Sequence, residues 1–261
     1  MRLATWNVNS IRSRVDRVEA WLQRNEVDVL AMQETKSKDA TFPFDRFRDL
    51  GYEVAHHGLN QWNGVAILSR VGLDDVQVGF PDAPQWGEPA VAEARALGAT
   101  CGGVRVWSLY VPNGRTLEDP HLPYKLSWLE VLRRHATEWA ADGTPVALCG
   151  DWNIAPQDDD VWDMAYFEGR THVSPAERAA FQAFLDAGFV DVVRPHTPGP
   201  GVYTYWDYQR LRFPKRQGMR IDFVLGSPSL AERVAGAAID REERKGTGAS
   251  DHAPVVVEVT A

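Results

Sequence analysis

Short apolar runs that stop abruptly on a polar residue recur along this chain, and they restrict its fold more than any other feature. LATWNV (3–8) stops at Asn9-Ser10, VDVLAMQ (27–33) at Glu34-Thr35-Lys36, Arg105 to Val111 at Pro112-Asn113-Gly114, and Pro145 to Cys149 at Gly150-Asp151. Apolar runs of this length bounded by turn formers are strand signals. Tyr52 to Ala55, Val65 to Leu68, Tyr203 to Trp206, Arg220 to Leu225 and Pro254 to Val259 read the same way. Val15, Val18 and Leu22 recur at helical spacing, as do Leu122, Leu126, Leu129, Leu132 and Ala136. Ser174-Pro175-Ala176-Glu177 is a capping box with proline at the first helical position, opening a helix whose buried face is Phe181, Phe184 and Leu185.

Strands outnumber the helices available to cross between them, so hairpins must contribute, and the expected class is α/β with a mixed sheet or two packed sheets. With no linker, repeat or low-complexity tract, residues 1–261 are expected to form a single domain. The 44% hydrophobic content is enough for a substantial core. No apolar run reaches the roughly 18–20 residues that span a bilayer. Met1 leads straight into a strand-like segment, so no signal peptide is expected. Cys101 and Cys149 lie in apolar stretches without metal-ligand spacing, and are expected to be buried free thiols of a cytoplasmic protein.

A formal net charge of −8 argues on its face against a nucleic-acid partner. Binding depends on the local field, however, and the charge is unevenly spread. RLRFPKRQGMR (210–220) holds five cations and no acid, and Arg12, Arg14 and Arg17 form a second cluster. Such strips suit a phosphodiester, although a solvated surface explains each equally well.

The polar groups at strand ends carry the chemistry. They are Asn7, Glu34, Tyr110 with Asn113, Asp151 with Asn153, and Asp251-His252, while Asp222 sits inside the apolar run RIDFVL. Ligand sites in α/β sheets gather at strand ends, so these groups can converge on one cleft. Singly, each has an ordinary explanation as a turn former, cap or surface carboxylate. Asp222 is harder to explain so, because an unpaired carboxylate in a buried strand costs several kcal/mol. His252 is its natural partner. Carboxylate and amide oxygens, without cysteine clusters or an HExxH helix, favour a hard cation such as Mg²⁺. No GxSxG elbow or GxxxxGK[ST] loop is present. A cation, an oriented water and donors for charge developing at phosphorus are what phosphodiester hydrolysis requires.

WNVNSIRSR (6–14), QETK (33–36), NGVAILSR (63–70), LYVPNG (109–114), GDWNIAP (150–156), RIDFVL (220–225) and SDHAP (250–254) stand in order from end to end. Together they resemble the exonuclease III-type apurinic/apyrimidinic endonucleases of the endonuclease/exonuclease/phosphatase superfamily, over essentially the whole chain. The resemblance implies a DNase I-like four-layer sandwich: two packed mixed β-sheets flanked by helices. It implies a monomer cleaving double-stranded DNA 5′ to abasic sites, with 3′→5′ exonuclease and 3′-end-cleaning activity on blocked ends. Mg²⁺ is the implied cofactor, with Mn²⁺ as an alternative.

Residue by residue, it implies Glu34 as principal metal ligand, with Asn7 beside it and Asp251 at a position that can ligate metal. Asp151 orients the attacking water, and Asn153 helps place water and phosphate. His252, oriented by Asp222, stabilises the transition state. Asp151, Asn153 and His252 also count as candidate metal ligands. Tyr110 and Asn113 contact the phosphate, with Tyr110 near the leaving oxygen. Arg12 and Arg115 match positions gripping the DNA backbone, while Tyr205, Met219 and Ile221, adjoined by Trp206, fall where the family builds a pocket for a base-less sugar. Ile221 reads equally well as core.

Two departures stand out. Asn9 replaces an aspartate that some relatives use for metal, and 209–218 is longer and more basic than a tight hairpin requires. Insertion of that segment into or along the duplex is the expectation. The alternatives are a superfamily phosphatase or phosphodiesterase on a non-DNA phosphoester, and a catalytically silent nucleic-acid-binding module.

Overall fold

The near-continuous apolar runs become strands buried on both faces. In the computed structural model, which describes residues 1–261, the strands are β1 (Arg2–Asn7), β2 (Val29–Gln33), β3 (Glu53–His57), β4 (Val65–Ser69), β5 (Asp74–Val78), β6 (Ala96–Cys101), β7 (Val104–Tyr110), β8 (Val146–Asp151), β9 (Val190–Asp191), β10 (Asp222–Gly226), β11 (Val234–Ile239) and β12 (Val255–Val259). One six-stranded sheet runs β11-β12-β1-β2-β4-β3, and the other β5-β6-β7-β8-β10-β9. Both are mixed, with parallel pairs β1–β2 and β7–β8 at their centres and antiparallel neighbours around them. The helices are α1 (Val15–Asn25), α2 (Phe44–Arg48), α3 (His121–Ala140), α4 (Met164–Phe167), α5 (Pro175–Asp186) and α6 (Pro228–Ala231).

Three apolar layers hold these elements together. Leu3, Val29 and Ile67 of the first sheet meet Leu97, Val106, Ala147 and Val224 of the second. Trp6, Leu30 and Met32 face outward onto Trp21 and Leu22 of α1 and Phe47 of α2. Trp107, Leu148 and Phe223 face the other way onto Trp128 and Leu132 of α3 and Phe181 and Phe184 of α5. Every residue of β2, β4, β8 and β10 is buried, because each strand has a sheet on one side and helices on the other. The result is the expected four-layer α/β sandwich, DNase I-like in form. Truncating a central side chain such as Leu148 to Ala removes about 2–5 kcal/mol.

Two local expectations need correction. Tyr203 to Trp206 is not a strand of either sheet: it makes only isolated bridges at Tyr205, to Met219 and His252. Its backbone is divided between two partners, Met219 on one side and Asp251–Ala253 on the other, and so builds no ladder. On α3, Leu126 is half-exposed and the buried position beside it belongs to Lys125. Strands β5, β9 and β11 carry no clear apolar pattern; β5 is a mostly exposed edge, β11 a half-exposed one, and β9 has two residues. Strand β6 holds Gly98, where a Cβ would sit 2.7 Å from the Trp107 indole. Cys101 and Cys149 are buried and free, and burial pushes the Cys101 thiol up to about 11. No helix is long and apolar enough to cross a membrane.

Candidate catalytic and metal site

Register brings the polar strand ends to one edge of the sandwich. Asn7 pairs with Gln33 at the end of β1–β2, and Tyr110 with Asp151 at the end of β7–β8. Asp222 opens β10 opposite Asp151. The two sheets join here directly: Asn7 Nδ2 donates to Asp151 Oδ2 at 3.0 Å and to Glu34 Oε1 at 3.4 Å. Glu34 and Asn153, each just past a strand end, have φ of +50°. Left-handed backbone at non-glycine residues is costly and concentrates at functional sites.

Asp222 and His252 form the pair anticipated from the sequence. His252 Nδ1 lies 2.9 and 3.1 Å from the Asp222 carboxylate oxygens, leaving Nε2 3.8 Å from Asp151 Oδ2. Thr204 Oγ1 accepts from the backbone N–H groups of Ile221 and Asp222, and Thr204 O accepts from Ala253 N. The YTYW segment thus ties the start of β10 to the His252 loop. Burial alone would lower the imidazole pKa, but the charges of Asp222 and Asp151 outweigh it and raise it to about 10.

Asp151 shows the opposite imbalance. Burial first, then the nearby Asp222 and Glu34 charges, push its carboxyl up to about 7 against the opposing pull of His252. Glu34 would also be raised by burial, yet the Lys36 ammonium 2.8 Å away and the Tyr110 hydroxyl keep it below the usual carboxylate value. Tyr110 OH donates to Glu34 Oε1 at 2.5 Å, and burial holds the phenol well above its ordinary value, so it remains neutral. Asn153 N donates to Asp151 Oδ1 at 2.9 Å, and Asn113 Nδ2 donates to Asn153 Oδ1 at 3.1 Å. Asn9 Nδ2 donates to Asp251 Oδ1 at 3.0 Å, a contact an aspartate at position 9 would turn into repulsion.

The donor set fits a hard divalent cation. Three buried or half-buried carboxylates, Glu34, Asp151 and Asp222, converge with only Lys36 and His252 at ion-pair distance. Asp151, Asp222 and His252 place ligand atoms within 4.8 Å of one another. That trio is a poor cage as it stands, because His252 and Asp222 already satisfy each other. Asp151 holds the least compensated carboxylate of the three, and Asn7 links it to Glu34.

The remaining sequence candidates divide. Tyr205, Met219 and Arg115 line a cleft of about 570 Å³ beside the site, together with Trp162, Tyr166, Arg212 and His172. The Tyr205 ring lies 4.9 Å from that of His252. Ile221 is buried beneath the cleft in a cluster with Ala155, Val161 and Met219. Trp206 is 1% exposed and packs with Tyr203 and Ala253 away from this cleft. Arg12 is exposed on the turn before α1.

His172 and Lys125 escaped sequence reasoning. His172 Nε2 lies 3.2 Å from Asn153 Oδ1 and 3.4 Å from Asn113 Nδ2; burial, then the Lys125 charge, lower its pKa to about 4. Its sequence context, a loop before a capping box, gave no signal. Lys125 had one: it falls three residues after Leu122 and four before Leu129, on the buried face of α3.

Comparison with known proteins identifies the family and the fold. Residues 4–252 match the model of the Endonuclease/Exonuclease/phosphatase family. The chain is 30% identical to exodeoxyribonuclease III of Haemophilus influenzae, covering 99% of each, and 31% identical to an exodeoxyribonuclease of Bacillus subtilis, covering 98% of each. Among solved structures it resembles the 3′ phosphatase NExo from Neisseria bound to a product DNA hairpin, with 35% identity and TM-score 0.94. An AP endonuclease from Archaeoglobus fulgidus matches with 35% identity and TM-score 0.92, and coverage is 100% of both chains in each case.

Proposed function

The chain belongs to the endonuclease/exonuclease/phosphatase family and is a nuclease-type phosphodiester hydrolase, and we propose that it is a Mg²⁺-dependent DNA repair enzyme acting at abasic sites and blocked 3′ ends. Mn²⁺ is the alternative ion, and residues 1–261 are read as one catalytic domain working as a monomer in the cytoplasm. The observation that carries this reading is the convergence of Glu34, Asn7, Asp151, Asp222 and His252 beside a cleft lined by aromatic rings and by charged side chains of both signs, Arg115, Arg170 and Arg212 among them.

Glu34, with Asn7 beside it, would hold the ion, and Asp251, hydrogen-bonded by Asn9 in the loop before β12, is a further candidate ligand. When bound, the ion neutralises phosphoryl oxygens as charge develops and lowers the pKa of nearby groups. Asp151 orients the attacking water; its raised pKa falls toward the ionised state as positive charge enters the site. His252, held by Asp222, donates from Nε2 to the phosphate. Asn153 and Asn113 place the phosphate without repelling it, and Tyr110 orients Glu34. Tyr205 and Met219 line the cleft where the sugar of an extruded or terminal nucleotide enters.

The basic segment 209–218 borders the same cleft. The Arg212 guanidinium lies 4.8 Å from the ring centres of both Trp162 and Tyr166, while Lys215 and Arg216 are exposed. Neutralising these three cations is expected to weaken DNA binding and flatten its salt dependence by about one unit of log–log slope per lost phosphate contact. Unchanged binding would remove the segment from the interface. The activity itself is tested on duplex oligonucleotides carrying a tetrahydrofuran abasic analogue, a 3′-phosphate or an unmodified recessed 3′ end, with Mg²⁺ or chelator. Cleavage of none of them, with phosphate release from inositol phosphates, would overturn the DNA reading.

A further inference from the structure

Beneath the phosphate-handling groups lies an ion pair that no step above employs. Lys125 of α3 and Glu177 of α5 both have side chains 0% exposed. Lys125 Nζ donates to Glu177 Oε1 at 2.5 Å and to the backbone carbonyl of Asn153 at 2.6 Å. Glu177 also accepts from the hydroxyls of Thr171 at 2.8 Å and Ser174 at 2.6 Å. The expected capping box is thus only half made: Ser174 caps the Glu177 N–H, but the glutamate faces inward onto Lys125.

We propose that the Lys125–Glu177 pair is a positioning clamp that sets Asn153, His172 and Asn113 for phosphate, an inference that rests on the role given to Asn153 above. Three chain segments meet on it. Lys125 fixes the carbonyl of Asn153, which stands in left-handed backbone at φ +50°. Thr171 ties Glu177 to His172, also left-handed at φ +76°. The Asn113-Gly114 turn rests on its top: a Cβ at Gly114 would lie 2.4 Å from Thr171 Oγ1 and 3.2 Å from Glu177 Oε1. The three side chains so held meet one another at 3.1, 3.2 and 3.4 Å. Stability does not explain the pair, since an apolar pair of equal volume in a buried site is commonly as stable. What an apolar pair cannot do is hold a backbone carbonyl and two loops in one geometry.

The test replaces both charges at once, Lys125→Met with Glu177→Leu, so that neither is left buried alone. The clamp predicts a kcat on the abasic or 3′-phosphate duplex lower by about 10–100-fold. KM should move by less than about 3-fold, and Tm by only a few degrees. The Asn153 side-chain amide, followed by ¹⁵N NMR, should broaden or split. In an Asn153→Ala background the same pair of changes should cost much less, because it acts largely through that residue. A kcat within about 2-fold of wild type with an unmoved amide resonance sinks the clamp, as does a full additive loss in the Asn153→Ala background. If the double variant does not fold, Gly114→Ala presses on the same network with both charges intact and must lower kcat without raising KM. Failure of the wild type on every DNA substrate would count against the proposed function; the amide resonance still decides the clamp.

Discussion

Strand β10 opens between two buried charge clusters of different kinds. Arg220, two residues before Asp222, is 2% exposed and bridges Asp191 at 2.6 and 2.9 Å. Arg194 closes the set by donating to both oxygens of Asp160 at 2.7 and 2.8 Å. Two arginines thus face two aspartates, and the cluster is complete in itself. At Asp222 the balance is different: Glu34, Asp151 and Asp222 share Lys36 and a single imidazole, and Asp151 is pushed to about 7. One cluster fastens the loop around Asp160 and β9 to the start of β10; the other is left short of positive charge. Incomplete neutralisation is what a site for a cation and an anionic substrate requires.

The largest expected effect comes from breaking the incomplete cluster. Asp151→Asn removes the carboxylate proposed to orient water, and kcat should fall by at least about 10³-fold. It also relieves the crowding of buried carboxylates, so the metal-free variant should melt at or above the wild-type temperature while still binding DNA. Mg²⁺ at about 100 times its Kd should stabilise wild type by about 2.7 kcal/mol. It should stabilise Glu34→Gln far less, as thermal melts with and without ion would reveal. A lower melting temperature for Asp151→Asn in the absence of metal would mean that the two clusters are alike and both structural.

The complementary change is Arg220→Met in the complete cluster. It leaves Asp191 without its main partner, and stability should drop by about 3–5 kcal/mol in urea titrations. Activity below the melting range should stay within about 10-fold of wild type, because Thr204 still holds the backbone of Asp222. A loss of kcat as deep as that of Asp151→Asn would make Arg220 part of the working site and erase the distinction.

How far the sequence could reach follows the same line. Chemistry placed at strand ends was legible, because an apolar run that stops on Glu34 or Asp151 shows both the strand and its exit. Asp222 stood out because a carboxylate inside RIDFVL demanded a partner. Groups that act through backbone bridges were not legible: Tyr203 to Trp206 looks like a strand and serves as a strap between Met219 and Ala253. Lys125 hid among leucines, and the inward turn of Glu177 hid in a capping box. Trp206 follows Tyr205 directly in the chain, yet it does not line the cleft, because its ring is taken up by packing on Tyr203, Phe213 and Ala253.

Two buried histidines sharpen the contrast with the smallest effect. His252 lies between buried carboxylates and is raised to about 10, whereas His56 is lowered to about 4, by burial first, with Asp39 opposing. The His56 ring stacks on Phe42 at 4.1 Å, with its nitrogens 2.7 Å from Asp39 Oδ1 and 2.9 Å from Thr35 Oγ1. Asp39 is 57% exposed, so water screens its charge and burial prevails at His56. A histidine with a depressed folded pKa takes up its proton first in the unfolded chain. Its contribution is therefore full above about pH 6.5 and is lost as pH falls toward 4. Urea titrations of wild type should lose about 2 kcal/mol more over that interval than those of His56→Phe. Equal acid limbs would mean that Asp39 keeps His56 as readily protonated as an exposed histidine. Charged partners rather than depth of burial would then have to account for the contrast between the two rings.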